Sequence, residues 1–203
     1  MNRLAKEKSA YLRHASTQKV NWYPWSEEAF DKAKQENKPV FLSSGAVWCH
    51  WCHVMAKESF EDDEVAALLN DRFIAVKLDR DERPDIDKRY QQALAAMGLS
   101  GGWPLSMFLT PEKKPFYGGT YFPVEESYGR PGFKALLHAM SEFYKSKKDE
   151  VYEHSGKLHD LLKKISPRKG KISEVLVEEA TKSIMKGFDK RNGGFGTSPK
   201  FPM

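Results

Sequence analysis

The sequence predicts an α/β fold, a central mixed sheet flanked by helices, with a C-terminal helical extension. Three observations carry that expectation. Helical and strand-like stretches alternate over the first 165 residues, and the last two strand-like stretches are separated only by a turn. The two cysteines, Cys49 and Cys52, stand where a short apolar strand gives way to a helix.

Each element has its own signal. Trp22-Tyr23-Pro24-Trp25 is an aromatic lead-in, and Ser26 is a suitable N-cap for a helix whose first turn holds Glu27 and Glu28. Ala29, Phe30 and Ala33 form its apolar side, and Asn37-Lys38-Pro39 ends it. Val40 to Ser44 reads as a buried strand, followed at once by the Cys-x-x-Cys helix running through Val54 and Met55. After the acidic run Glu61 to Glu64, Val65, Leu68 and Leu69 give another helical stripe, and Phe73 to Asp79 the next strand. Pro84 suits a first helical position, with Asp85 and Asp87 beside the positive helix end. Ile86, Tyr90, Ala93, Leu94 and Met97 continue that helix to the break at Gly101-Gly102-Trp103-Pro104. Leu105 to Leu109 returns to the sheet, Thr110 to Lys114 turns, and Phe116 to Phe122 forms an antiparallel edge strand with a bulge at Gly118-Gly119. A long helical pattern runs from about Pro131. Residues 166–172 read as a linker, and 173–203 as the start of a truncated helical domain, its helix spanning about Ser173 to Phe188.

Hydrophobic residues make up 40% of the chain and aromatics 12%, enough for a packed core and too much for a disordered segment. No run reaches the roughly 18 apolar residues of a membrane span, and no apolar leader follows Met1, so no membrane partner and a cytoplasmic location are expected. The net charge of +5 is concentrated at 145–171, where nine Lys/Arg face four Asp/Glu. Those lysines alternate with Val151, Leu158, Leu161, Leu162 and Ile165, the pattern of a solvated helix face, so no nucleic-acid partner is expected. Two cysteines three apart cannot staple distant segments. Their chemistry is local.

The site sequence is Val47-Trp48-Cys49-His50-Trp51-Cys52-His53. A strand that delivers a thiol to a helix start places it against unpaired N–H groups and the helix dipole, which lower a cysteine pKa from about 8.5 to roughly 3.5–7.5. Cys49, at the exposed end, is the expected nucleophile, and Cys52, one turn on, resolves the mixed disulfide. Three other readings stay open. Cys-x-x-Cys-His matches a c-type haem attachment pattern, Cys49, His50, Cys52 and His53 could ligate zinc, and the thiols could be inert core residues. His50 titrates near neutral pH and would favour a thiolate, His53 reads as structural, and Trp48 would shield the sulfurs or meet a substrate. Gly-Gly-Trp-Pro before a core strand is where a cis-proline loop, Trp103-Pro104, would face the cysteines and pair with an extended substrate.

With these residues the chain resembles thioredoxins in general and the spermatogenesis-associated thioredoxin-like family in particular. The resemblance lies in Trp22 to Trp25, Cys49 to Met55, Glu58 to Asp62, Asp81 to Asp87, Gly101 to Leu105, Gly118 to Pro123, and Gly193 to Gly196 continuing through Pro199 to Pro202. It implies a thioredoxin-like domain over 1–165 and, from 173, the opening of an (α/α)6-barrel domain resembling glycosidases. The pairing of Cys-x-x-Cys with the later Gly-Gly-Trp-Pro, rather than the resemblance, leads to the expectation of a thiol–disulfide oxidoreductase with no cofactor but its redox-active disulfide. Catalysis would fall to Cys49 and Cys52, with Trp48, His50, Trp51, Trp103 and Pro104 in support. The partner would be a disulfide-bearing protein or small thiol, besides the chain's own barrel. Alternatives are a non-catalytic docking module for that barrel, or a metal-binding Cys-x-x-Cys module. The chain departs from the family pattern at Ser9-Ala10-Tyr11, Thr17 to Asn21 and Val47-Trp48. Thioredoxins also bury a carboxylate where this chain has Ser43, so deprotonation of Cys52 is expected to be slow unless Asp79, or Lys77 with a water, takes its place.

Overall fold

A computed structural model describes residues 2–127, 129, 131–165 and 173–196. The chain divides into two compact units, 1–165 and 166–203. The linker expected at 166–172, and Pro199 to Pro202, lie outside the described residues.

The first unit opens with a 3-10 turn at Leu4–Lys6 and a short helix α1 (Ala10–His14), in which Ser9 Oγ accepts the Leu12 N–H at 3.0 Å. Neither was expected. Tyr23–Pro24 is more than a lead-in: it is a two-residue strand β1. Helix α2 (Glu27–Glu36) starts at the Ser26 cap and stops at Asn37, whose φ of 52° turns the chain out of the helix. Strand β2 (Val40–Gly45), helix α3 (His50–Lys57) and helix α4 (Asp63–Arg72) follow, the last capped by Asp62, which accepts the N–H groups of Glu64 and Val65. Next come β3 (Ile74–Asp79), α5 (Pro84–Ala96), β4 (Leu105–Leu109) and β5 (Pro115–Gly119). The long C-terminal pattern is two helices, α6 (Phe133–Ser146) and α7 (Lys148–Ile165), because Lys147 leaves the helical region. On α7 the apolar Val151 and Leu162 are buried while Lys157, Lys163 and Lys164 are exposed. The second unit holds α8 (Glu174–Lys186), capped by Ser173, and a bridge between Phe188 and Phe195.

The sheet order is β1-β3-β2-β4-β5, with β1–β3 and β3–β2 parallel and β2–β4 and β4–β5 antiparallel. This is the mixed sheet expected, in a thioredoxin-like arrangement. Strand residues alternate between its faces. Phe41, Ala75 and Phe108 pack with residues of α1, α3, α4 and α6, whereas Leu42, Val76 and Met107 pack with α2, α5 and α7. Three polar residues share the face of Phe41. Ser43 pairs with Lys77 on one side and Ser106 on the other, and all three are buried. Among the described residues no helix is long and apolar enough to cross a membrane.

The edge strand needs correction. It ends at Gly119 rather than Phe122, because the Thr120 and Phe122 carbonyls are taken by the side chains of Ser106 and Ser59 at 2.9 and 2.7 Å. The irregularity falls at Phe116, between the pairs Leu109–Pro115 and Phe108–Tyr117, and not at the glycines. Gly118 and Gly119 answer a steric need instead. A methyl at Gly118 would lie 2.4 Å from Met107 Sδ, and one at Gly119 2.3 Å from Phe122 Cζ.

Candidate active site

Strand β2 ends at Gly45, and four residues later Cys49 becomes the N-cap of α3. Its Sγ accepts the Cys52 N–H at 3.1 Å and is joined to Cys52 in a disulfide spanning 5.2 Å between Cα atoms. Cys49, expected at the exposed end, is only 5% exposed, against 2% for Cys52. A capping side chain folds back over the first helical turn, so the sulfur lies along the helix start instead of projecting from it. Gly45 allows this packing. A methyl there would stand 2.4 Å from the Tyr11 hydroxyl oxygen and 2.6 Å from Cys52 Sγ.

Aromatic side chains border the pair. Trp48 and Trp51 are about half exposed. The Trp48 ring meets Trp103 edge-on at 5.6 Å, and Trp51 lies 5.0 Å from Tyr121, whose hydroxyl donates to Glu58 at 2.7 Å. Arg80 sets its guanidinium 4.8 Å from the Trp103 ring and 5.8 Å from that of Trp48, while Trp48 Nε1 donates to Asp81 at 2.8 Å. The Trp103–Pro104 peptide is cis. Pro104 directly precedes Leu105, which pairs with Ser44, while the next residue of β2, Gly45, is the one whose added methyl would meet Cys52 Sγ.

The histidines separate. His50 is exposed, 5.8 Å from the Trp51 ring. His53 donates from Nε2 to the Val47 carbonyl at 2.6 Å, tying α3 to the loop before it. With His53 engaged and the two sulfurs joined, the four side chains offered for zinc do not converge. Among the described residues no three His, Cys, Asp or Glu side chains group as metal ligands.

Asp87 does more than favour a helix start. It is 3% exposed, and its Oδ1 accepts the Ser44 hydroxyl at 2.7 Å and Trp103 Nε1 at 3.0 Å. One carboxylate thereby fastens the end of β2 to the proline loop. The signal was available, because 87, 90 and 94 lie on one helical stripe with the buried Tyr90 and Leu94.

Beside Cys52 is a cavity of about 230 Å³ lined also by Tyr11, His14, Val47, His53 and Lys77, among others. Two larger hollows, of about 430 and 270 Å³, contain neither cysteine. Lys77 is 2% exposed, and burial lowers its ammonium pKa to about 7. Its Nζ lies 4.7 to 4.9 Å from the rings of Tyr11, Trp22 and Phe60. Burial pushes the Tyr11 phenol above its ordinary range, with the neighbouring Ser43 hydroxyl pulling the other way. Asp79 is engaged elsewhere, accepting from Ser9 Oγ at 2.6 Å and from the Asp81 N–H at 2.9 Å.

Residues 1–163 match the family model Thioredox_DsbH, described as a protein of unknown function, DUF255. Spermatogenesis-associated protein 20 of Mus musculus is 44% identical over all of this chain and 26% of its own length. The Homo sapiens protein of that name is 42% identical over 99% of this chain, again 26% of its own length. An uncharacterised protein of Caenorhabditis elegans is 45% identical over 99% of this chain and 28% of its own. The chain thus spans about a quarter of the length of these relatives. Among solved structures, one titled DsbH Oxidoreductase covers 61% of this chain and 82% of its own at 22% identity and a TM-score of 0.41. A thioredoxin from Thermus thermophilus covers 61% and 85% at 24% identity and the same TM-score. By the family match over most of its length, the chain belongs to the Thioredox_DsbH (DUF255) family.

Proposed function

We propose that this domain is a thiol–disulfide oxidoreductase acting on a protein or small-molecule disulfide. The observation that carries the reading is the Cys49–Cys52 disulfide at the N-terminus of α3, with Trp48 beside it meeting Trp103 of the proline loop. In the reduced protein the Cys52 N–H and the helix dipole favour negative charge on Cys49, which attacks a substrate sulfur. Cys52 then displaces the substrate thiolate from Cys49 and closes the disulfide. The backbone before Pro104 pairs with an extended substrate, and Trp48, Trp51 and Trp103 supply the apolar rim. His50 sits on that rim. No cofactor beyond the disulfide is required, and an external thiol restores the dithiol. A pair used for local chemistry suits a reducing compartment such as the cytoplasm.

Insulin reduction in dithiothreitol tests the proposal. The wild type accelerates precipitation, Cys49→Ser falls to the background rate, and Cys52→Ser accumulates a mixed disulfide on Cys49. Equal rates for wild type and Cys49→Ser defeat it. A second reading, a docking module for the further domain of the longer relatives, is favoured by Ser43 standing where thioredoxins carry a carboxylate. It predicts full activity of the long protein with both cysteines changed to serine.

A further inference from the structure

We propose that Lys77 is the proton acceptor for the resolving thiol of Cys52, directly or through one water in the cavity they share. The inference rests on the oxidoreductase reading and adds to it the group that makes its second step possible. Three features of the site support it.

The first is placement. Lys77 projects from β3 on the same face as Ser43, and its side chain and Cys52 line one cavity of about 230 Å³, room enough for water. Gly45 lets the Tyr11 hydroxyl and Cys52 Sγ crowd the same point, where a side chain at this position would collide with both. The second is the cost of the lysine. A buried ammonium without an anion is expensive, and among the described residues Lys77 makes no ion pair. The three aromatic rings offset part of that cost. The balance leaves both protonation states accessible near neutral pH, with the ammonium pKa lowered to about 7 by burial. A lysine in an otherwise apolar strand is the kind of local rule-breaking that marks a functional position. The third is elimination among the neighbours. Of the other titratable groups facing the cavity, Tyr11 holds its proton more tightly than usual, His53 is committed to the Val47 carbonyl, and His14 meets the His53 ring edge-on at 6.0 Å. Asp79 is held by Ser9 and the Asp81 amide.

The step balances. Cys49 thiolate attacks a substrate disulfide, forming Cys49–S–S–R and releasing the other half as a thiolate. The Cys52 thiol passes its proton to the neutral Lys77 amine, and the Cys52 sulfur attacks Cys49 Sγ. The Cys49–Cys52 bond forms, the bond to R breaks, and RS⁻ leaves with the electron pair. The protein dithiol is oxidised by two electrons and the substrate reduced by two. Lys77 ammonium then returns its proton to solvent.

The test mixes the reduced full chain with one equivalent of 5,5′-dithiobis(2-nitrobenzoate) and follows release of the coloured thiol from pH 6 to 8. The wild type should give two phases, Cys49 attack and then Cys52 resolution, and Cys52→Ser only the first. Lys77→Met should keep the first phase within twofold, slow the second at least tenfold at pH 7, and replace the wild-type levelling above pH 7 by a continued rise with the thiolate fraction of Cys52 alone. A second phase within twofold of wild type, rising with pH as before, overturns the role of Lys77 alone. A wild type without a second phase overturns the oxidoreductase reading and this inference together. Lys77→Gln, checked by near-UV circular dichroism, serves should the methionine variant not fold. If neither folds, the wild-type rise of the second phase through pH 7 decides. A rise that levels off above about pH 7 and does so in His14→Gln and His53→Gln as well supports Lys77, and a rise that continues unbroken to pH 8, or a levelling lost in either variant, overturns it.

Discussion

A single carboxylate holds the proline loop against the cysteine strand. Asp87 Oδ1 accepts from both Ser44 and Trp103, and its other oxygen lies 3.9 Å from Arg80 Nε. Asp87→Ala strands one buried and one partly buried donor, and we expect a loss of about 2–3 kcal/mol in urea unfolding at pH 7. Asp87→Asn keeps an acceptor for both donors and loses only the long approach to Arg80, so its cost should stay under about 1 kcal/mol. Insulin reduction should fall in the same order, alanine below asparagine, because Trp103 loses its anchor. Equal losses for the two would mean that the charge matters and the shared acceptor does not. At this scale the cysteines, their flanking tryptophans and Pro104 could be read from the sequence, since spacing and the strand-to-helix junction are local signals. Asp87 and Tyr11 could not be placed as readily, and Lys77, named as a stand-in for the missing carboxylate, could not be told from Asp79. Their roles arise from contacts across 16 to 66 positions of the chain, and one of them, Asp87, also satisfies a local rule for helix starts that concealed its burial.

The elements set how closely groups may approach. At the edge of the sheet the two glycines of β5 face different neighbours, and their substitutions should differ. The Phe122 ring that would meet a methyl at Gly119 is stacked on Phe133 at 5.9 Å and nearly parallel, so it has little freedom to yield. Met107, opposite Gly118, is unbranched and adaptable. Thermal and urea unfolding should show Gly119→Ala losing about 2–3 kcal/mol and Gly118→Ala about 1 kcal/mol. The reverse order would place the rigidity elsewhere. Long elements with a clear period, such as α2, α5 and the buried β2 and β3, stand close to where the sequence puts them. The short ones were the ones missed. Helix α1 and strand β1 are too brief to show a period, and β1 exists because its two residues find a partner in Val76 and Lys77 far along the chain. The end of β5 likewise depends on Ser59 and Ser106, side chains outside the strand.

Across the whole first unit, the buried lysine ties folding to pH. Its folded pKa is lowered to about 7 from 10.5. Between those values the unfolded chain binds the extra proton, so stability should rise as pH goes from about 7 towards 10. Beyond that it should fall, because Tyr11, Tyr90 and Tyr144, all pushed up by burial, keep protons that the unfolded chain releases. Urea unfolding should show a rise of a few kcal/mol between pH 7 and 10 in the wild type, and Lys77→Met should flatten it. An unchanged slope in that variant would assign the effect to other groups. The central claim concerns the cysteine pair itself, which sits at a helix start beside a proline loop in a thioredoxin-like frame. An equilibrium titration of Cys49 and Cys52 in thiol–disulfide buffers, read by alkylation and mass, tests it most directly. The account predicts one reversible two-electron transition with a midpoint between roughly −270 and −120 mV; a pair that stays oxidised or stays reduced throughout that span would contradict it.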